Sequence, residues 1–226
     1  MADSSDPLEE FRVSLERVRI LAEKLSDEGL VFDSRLLVHE TQLSGAIVLL
    51  SGYFEAFLKN AVRSVLRAIA SNAPLPDNLR SQHIKGAAKV LESSIRFGGV
   101  TPESVLARLH YALNEPTRTP REFVWEAFAD TQSNPDKGAV ARIADNLGVK
   151  QFWPTVFKHS LLVQKGHSEQ TMLDSLTALI AKRNECAHTG RAITPPSTEE
   201  VKSYVVVLDG LAKGFTATLK ESLLPP

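Results

Sequence analysis

The sequence predicts an all-α protein. Apolar residues recur at steps of three and four over several long stretches, and capping residues, glycine or proline stand where these stretches end. Evidence for alternating strand patterns is thin throughout. With 226 residues, of which 43% are hydrophobic and 23% charged, the chain can bury a core and has an ordinary globular composition. We expect a single domain over residues 1–226, an antiparallel helical bundle with an inserted helical lobe at about 75–150.

The first two helices are predicted from apolar stripes. The first begins near Leu8 and should end near Gly29. The second extends from about Asp33 to Asn72 and is apolar nearly all round in its middle, so we expect it to be the central helix. It should end at Asn72, because two prolines follow and proline both lacks the helix donor and restricts the residue before it.

Shorter helices are predicted between about 80 and 150, where the lobe is expected. Thr119-Pro120-Arg121-Glu122 is a capping box with proline at the first helical position. Asn134-Pro135 gives a second start signal, and Gly148 should end the helix that follows it.

Two further helices are predicted after Phe152-Trp153-Pro154. One extends from about Ser168 to His188 and should end at Gly190, which tolerates positive φ. The last begins at the capping box Ser197-Thr198-Glu199-Glu200 and carries an apolar stripe from Val201 to Leu219.

Composition and charge limit the possible functions. A net charge of −1 excludes nucleic-acid binding by bulk electrostatics, so any RNA contact must be a local basic patch. The single Cys186 excludes an internal disulfide and a cysteine zinc cluster, which favours a reducing compartment. The N-terminus lacks a signal-peptide pattern, and the longest apolar run, Ala46 to Leu50, is far shorter than the ~20 residues that span a bilayer. We therefore expect a cytoplasmic protein with no membrane association.

Arg183 is the first candidate functional residue. It follows Leu176 by seven positions and Leu179 by four, so it falls inside the apolar stripe of its helix. A guanidinium stays charged at physiological pH, and an unpaired buried charge is costly. The position therefore implies that an ion pair, a subunit interface or an anionic ligand compensates the charge of Arg183. The alternative is that its aliphatic stem packs within the stripe while the guanidinium reaches solvent.

His188 is the second candidate, because histidine can serve as general acid or base near neutral pH. It lies five positions after Arg183, which places the two ~140° apart around a straight helix. The predicted helix end at Thr189-Gly190 would let His188 swing back toward Arg183. The spacing alone is weak, since about one such arginine–histidine match is expected by chance in a chain of this composition.

The wider sequence context resembles a known superfamily. The run Leu179-Ile-Ala-Lys-Arg-Asn-Glu-Cys-Ala-His-Thr-Gly190 is similar to the motif of HEPN ribonucleases, in which an arginine, a polar residue, three more positions and a histidine precede a helix end. The resemblance includes the long helix around residues 49–59, the segment 147–153 and the capped last helix, and it is closest to stand-alone prokaryotic members such as the RiboL-PSP-HEPN group. Many members have glycine directly after the histidine, whereas Thr189 intervenes here.

The resemblance implies a HEPN-like helical bundle with endoribonuclease activity. In such enzymes the 2′-hydroxyl of RNA attacks the adjacent phosphate without a metal, so no metal or other cofactor is expected. Arg183 would stabilise the phosphate charge, His188 would transfer protons, and Asn184 would contact a phosphate oxygen or position His188. The resemblance also implies a homodimer with a composite active site and a role as a toxin or phage-defence effector, with an antitoxin or other defence protein as partner. The alternative is a non-catalytic HEPN-like domain that binds a nucleotide, RNA or a protein.

Supporting residues are predicted on two other segments. Glu55 and Lys59 match a feature of some HEPN nucleases, a glutamate followed four positions later by a basic residue. The resemblance implies that Glu55 could pair with Arg183 or orient His188. A plain surface ion pair is the alternative. Lys158, Lys165 and Lys182 are candidate contacts for RNA phosphates, and solvated positions are again the alternative.

Overall fold

The computed structural model describes residues 6–25, 34–72, 76–97, 101–114, 124–131, 134–160, 162–163, 166–190 and 192–224. Over these ranges the protein is all-α, as predicted, with helices joined by turns and no strand. The helices are α1 (Pro7–Lys24), α2 (Ser34–Asn72), α3 (Asp77–Phe97), α4 (Pro102–Asn114), α5 (Lys137–Asn146), α6 (Phe152–His159), α7 (Glu169–Thr189) and α8 (Thr198–Leu223), with a 3-10 turn at Trp125–Ala127.

A bundle of α1, α2, α7 and α8 forms the main core. Both α2 and α8 pack against the other three helices, and α6 packs along α8. Aromatic rings fill the centre, with Phe11 stacked on Phe57 at a centroid distance of 4.9 Å and Phe215 edge-on to Phe57 at 6.0 Å. Such packed rings bury large apolar areas, so they provide much of the driving force that holds the bundle together.

Contacts near the ends of α1 establish the directions of three helices. Leu25 is the C-cap residue of α1. Its carbonyl oxygen accepts a 2.6 Å hydrogen bond from Thr198 Oγ1 at the start of α8 and lies 3.1 Å from His39 Nε2 near the start of α2. At the other end of α1, Arg12 Nε donates to Asp209 Oδ1 of α8 at 2.8 Å. α1 is therefore antiparallel to both α2 and α8.

The long helix α2 is the central element. Its buried side includes Leu43, Ile47, Leu50 and Phe54, each at most 1% exposed. The segment Leu36–Ile69 is long enough to cross a bilayer and its most apolar window has a mean hydropathy of 1.2, but half of that window is buried inside the protein. A buried core helix meets the same criteria of length and composition, so this feature is weak support for a membrane span.

Helices α3 and α4 pack mainly on each other and on the 3-10 turn, which in turn contacts α2. The contact between α3 and the turn is tight because Gly86 lacks a side chain: a Cβ there would lie 2.4 Å from Ala127 Cβ. Arg108 of α4 holds the same turn through a 2.8 Å ion pair from Nη2 to Glu126 Oε2. In contrast, α5 contacts α6 and α7.

Several predicted helix boundaries are confirmed. α2 ends at Asn72, Ser168 and Ser197 cap α7 and α8, and Gly148 and Gly190 adopt φ of +75° and +76° where their helices end.

Other boundaries differ from the predictions. α1 ends at Lys24 rather than near Gly29, and α5 is capped by Asp136, whose Oδ1 accepts the N–H of Ala139 at 2.7 Å, rather than at Asn134-Pro135. Helix α6 was not predicted. Its proline, Pro154, stands in the first turn, where a missing N–H costs nothing. Gly29 and the box at 119–122 lie outside the described residues.

Candidate functional site

Arg183 lies on the buried side of α7. The helix is continuous from Glu169 to Thr189 and is closed by Gly190, whose N–H donates to the Cys186 carbonyl at 2.9 Å. The buried residues of this side are Met172, Leu176, Leu179, Ile180 and Cys186. Arg183 is half-buried among them, so the predicted position of an arginine within an apolar stripe is confirmed.

The guanidinium of Arg183 has few internal partners. Nη1 donates to Asn184 Oδ1 at 3.0 Å, which is its one side-chain hydrogen bond to the described part of the chain. It also lies near enough to Glu55 of α2 for its positive charge to lower the pKa of that carboxyl. Since a guanidinium carries five N–H donors, most of them remain available to a ligand.

Glu55 connects three elements beside Arg183. Its Oε1 accepts hydrogen bonds from Lys59 Nζ at 2.5 Å and from Thr131 Oγ1 at 2.6 Å. Burial raises the pKa of Glu55, but these two hydrogen bonds and the charges of Lys59 and Arg183 outweigh it, so the pKa lies below its usual value. Glu55 is therefore ionised near neutral pH and joins α2 to the segment after the 3-10 turn, with the charge of Arg183 on α7 nearby.

His188 lies on a different side of α7. It is exposed in the last turn of the helix and has no hydrogen-bond partner in the described structure. Because α7 remains helical through Thr189, the expected swing of His188 toward Arg183 does not occur, and the two residues stay ~140° apart around the axis. Within one chain, Arg183 and His188 leave the helix in different directions.

Asn184 stands between the two candidates. Its amide oxygen accepts from Arg183, and it precedes His188 by one helical turn, so the two lie on neighbouring positions of the same helix face. Asn184 thus holds the guanidinium through its oxygen, and its amide nitrogen makes no hydrogen bond to the residues that the structure describes.

A family model described as RiboL-PSP-HEPN matches residues 15–221, which include Glu55, Lys59 and the whole of α7. The chain belongs to the RiboL-PSP-HEPN family. No curated protein and no solved structure matches the chain. The HEPN resemblance drawn from the motif is therefore confirmed at the level of the family, over nearly the full length of the sequence.

The three lysines expected to contact RNA in this RiboL-PSP-HEPN protein are differently placed. Lys182 Nζ lies 2.8 Å from Glu200 Oε1 and donates to Oε2 at 3.0 Å, so its ammonium is engaged by α8. Lys158 is exposed at the end of α6, and Lys165 lies outside the described residues.

Two features of the site were missed from the sequence. One is Thr131, whose hydrogen bond to Glu55 joins residues 76 positions apart and leaves no local pattern. The other is the exposed side of α2, which carries large apolar residues beside glycines. These residues are Leu37, Val38, Gly45, Val48, Leu49 and Gly52. The apolar character of α2 all round its axis was the available signal, because a bundle covers only part of a helix surface.

Proposed function

We propose that this RiboL-PSP-HEPN protein is a metal-independent endoribonuclease. The observation that carries the proposal is Arg183, a half-buried arginine on the apolar side of α7 with one side-chain hydrogen bond to the residues that the structure describes. Holding an arginine there is costly unless an anion completes its coordination, and a phosphate matches the planar fork of its donors. The negative charge of Glu55 lies near enough to the guanidinium to interact with it electrostatically.

The proposed reaction needs one positive group and proton transfer. The 2′-hydroxyl loses its proton to a base and its oxygen bonds to phosphorus. The bond from phosphorus to the 5′-oxygen then breaks, and an acid protonates the leaving oxygen. The products are a 2′,3′-cyclic phosphate and a 5′-hydroxyl. His188, exposed and without a hydrogen-bond partner among the residues that the structure describes, is the proton-transfer group, and Arg183 stabilises the charge that builds on the phosphate.

The proposed active unit is a homodimer in which Arg183 and His188 of both copies line one cleft. The ~140° between these residues on α7 supports it, because one chain does not aim both at one phosphate. A phosphate between two copies would meet Arg183 of one chain and His188 of the other. Two histidines would then be present, one to act as base and one as acid.

The exposed side of α2 supports the same dimer. Val48 and Leu49 are 36% and 44% exposed, and nothing lies within 4 Å of a Cβ built on Gly45 or Gly52. This apolar surface, with room for the close approach of another helix, ends one turn from Glu55. A second copy packed on it would therefore reach the site of Arg183.

The proposed biological role is that of a cytoplasmic toxin or phage-defence effector, with an antitoxin or other defence protein as partner. Growth arrest on induction of the wild type, and none with Arg183→Ala, would support it. The alternative is a non-catalytic domain that binds a nucleotide, RNA or a protein. The specific observation in its favour is again the separation of Arg183 from His188.

The decisive experiment is RNA cleavage in EDTA with end-group analysis of the products. We expect a 2′,3′-cyclic phosphate, and a loss of at least about 100-fold in rate for Arg183→Ala and for His188→Ala, because each removes a group that acts in the transition state. Arg142→Ala and His167→Ala are matched controls, since both residues lie on other segments, and they should cleave at the wild-type rate. A double Arg183→Ala/His188→Ala variant as active as the wild type would refute the proposal.

A further inference from the structure

The outward side of α2 changes character at Glu55. From Gly45 to Gly52 the exposed residues are apolar or glycine, and from Asn60 on the outward side is mainly polar and basic, with Asn60, Arg63, Ser64 and Arg67 all exposed. This change coincides with the level of the helix at which Arg183 approaches. One helix thus carries an apolar surface and a basic surface that meet at the candidate site.

The basic residues form a diagonal row across α2. Lys59, Arg63 and Arg67 follow Glu55 at intervals of four residues, and each interval advances about 6 Å along the helix and rotates about 40° around it. The row therefore leads away from the α7 side of α2 and crosses its exposed surface. It extends about 12 Å, enough to meet more than one phosphate of a nucleic acid chain.

The far end of the row opens into a groove. This groove, of about 590 Å³, lies between the start of α1, the second half of α2 and the end of α8. Arg63, Arg67 and Lys220 supply its cations, and Asn60 and Ser64 add neutral hydrogen-bonding groups. A concave surface with several cations and neutral donors suits a polyanionic strand better than a compact anion.

Two carboxylates also line the groove, and both have internal contacts. Asp6 caps α1 by accepting the N–H of Leu8 at 3.0 Å, and Glu10 has a partner elsewhere in the structure. Arg67 likewise has contacts of its own. The cations at the edge of the groove, Arg63 and Lys220, are therefore the ones whose role is simplest to test.

Arg63 is also held in place by an aromatic ring. Its guanidinium carbon lies 5.9 Å from the centroid of the Trp125 ring in the 3-10 turn. A cation over an indole face is stabilised by the ring electrons and keeps its N–H donors for other partners. Trp125 itself is partly buried against the core, and an arginine beside such a ring is a typical combination for binding a single strand, because the accessible part of the ring offers a surface for a base.

We propose that single-stranded RNA binds along this row and into the groove between α1, α2 and α8, so that one flank of the strand is held there while Arg183 engages the reacting phosphate. This inference rests on the proposed function and deepens it, since it assigns the path of the substrate strand. An RNA duplex should bind more weakly along this path, because its paired bases cannot stack on Trp125.

The test measures binding in a His188→Ala background, so that the probe stays intact. A labelled oligouridine of about 20 nucleotides is titrated at several salt concentrations against Arg63→Gln, Lys220→Gln and the double variant. We expect a three- to tenfold weaker Kd for each single variant and a fall of about 0.7 per removed cation in the slope of log Kd against log salt. Arg142→Gln on α5 is the matched control with the same charge change.

Arg63→Lys separates the loss of charge from the loss of the guanidinium contact with Trp125. Because it keeps the charge, it should retain most of the RNA binding. The inference is overturned if the double variant binds oligouridine like Arg142→Gln, or if an RNA duplex of equal length competes as well as the single strand. Cleavage by the wild type is measured in parallel. Cleavage with unaltered binding in the double variant refutes the path alone, whereas a wild type that neither cleaves nor binds RNA refutes both the path and the proposed function.

Discussion

At the scale of single residues, His83 shows how the α3 side of the protein depends on pH. Its Nε2 accepts the N–H of Val124 at 2.9 Å, and its ring stacks on Phe128 at a centroid distance of 6.0 Å. Burial, with a smaller contribution from the nearby Arg108, lowers the pKa of His83 to about 4. The neutral ring is therefore part of the folded structure.

The lowered pKa of His83 predicts that the free energy of unfolding decreases in acid. The unfolded chain takes up a proton on His83 near pH 6.5 and the folded protein only near pH 4, so the free energy of unfolding falls as pH drops between these values, by roughly 3 kcal/mol. Denaturant titrations at several pH values measure it. His83→Gln keeps an acceptor for Val124 but does not titrate, so its stability should fall less over this range. Equal pH dependence in the two proteins would contradict the prediction.

The residues of the candidate site differ in how far they could be predicted. Arg183 could be found because a charge inside a regular apolar stripe violates a local pattern. The approach of Glu55 to Arg183 was an expectation from the family resemblance, and the structure brings them within electrostatic range. Thr131 could not be found, because its contact depends on how a distant segment folds onto α2. The helix end at Thr189-Gly190 was predicted correctly, but His188 still belongs to the regular helix, so its expected swing toward Arg183 does not follow.

At the scale of secondary-structure elements, the contact between α3 and the 3-10 turn depends on Gly86. A Cβ at this position would lie 2.4 Å from Ala127 Cβ and 2.8 Å from its carbonyl oxygen, and backbone atoms do not move aside cheaply. Replacement by alanine favours the helix by up to about 1 kcal/mol, which offsets only part of the expected strain.

We therefore expect Gly86→Ala to lower the free energy of unfolding by about 1–3 kcal/mol, measured by denaturant titration. The double variant Gly86→Ala/Ala127→Gly removes the Cβ contact and should recover part of the loss, whereas Ala127→Gly alone should not stabilise the protein. A Gly86→Ala protein as stable as the wild type would show that the turn shifts without cost.

Elements with strong local signals were predicted well. α2 agrees with its predicted span to within a residue at each end, because a long apolar pattern is bounded by a proline segment that admits no helix. α6 was not predicted because a proline gives no clear local signal: in the first turn, where Pro154 stands, it is compatible with a helix, whereas further along it would interrupt one. Packing against α8 stabilises this short helix, and no local pattern reports that contact.

At the scale of the whole molecule, the proposed homodimer would make RNA cleavage depend on the apolar surface of α2 around Val48 and Leu49. We expect Val48→Asp and Leu49→Asp to shift the protein toward monomer in sedimentation velocity, because a charge in an apolar interface is poorly solvated. Both should also reduce RNA cleavage while leaving the melting temperature of the monomer unchanged. Val13→Asp, at a 54% exposed valine on α1, is the matched control and should affect neither.

A mixing experiment tests the shared cleft directly. Arg183→Ala and His188→Ala proteins, each inactive alone, should regain part of the activity when combined, since a mixed dimer retains one cleft with an arginine and a histidine. A dimeric wild type whose inactive variants never complement would contradict a composite site.

The continuity of α2 has one more consequence. Its 39 residues form one uninterrupted helix of about 58 Å, so the apolar surface, the carboxylate beside Arg183 and the basic row belong to one cooperative unit. Amide protons in the middle of this helix should exchange with solvent only when the whole unit opens. Opening of this unit would release the second copy, the guanidinium and the strand together, so loss of function on warming should follow the exchange rate of α2.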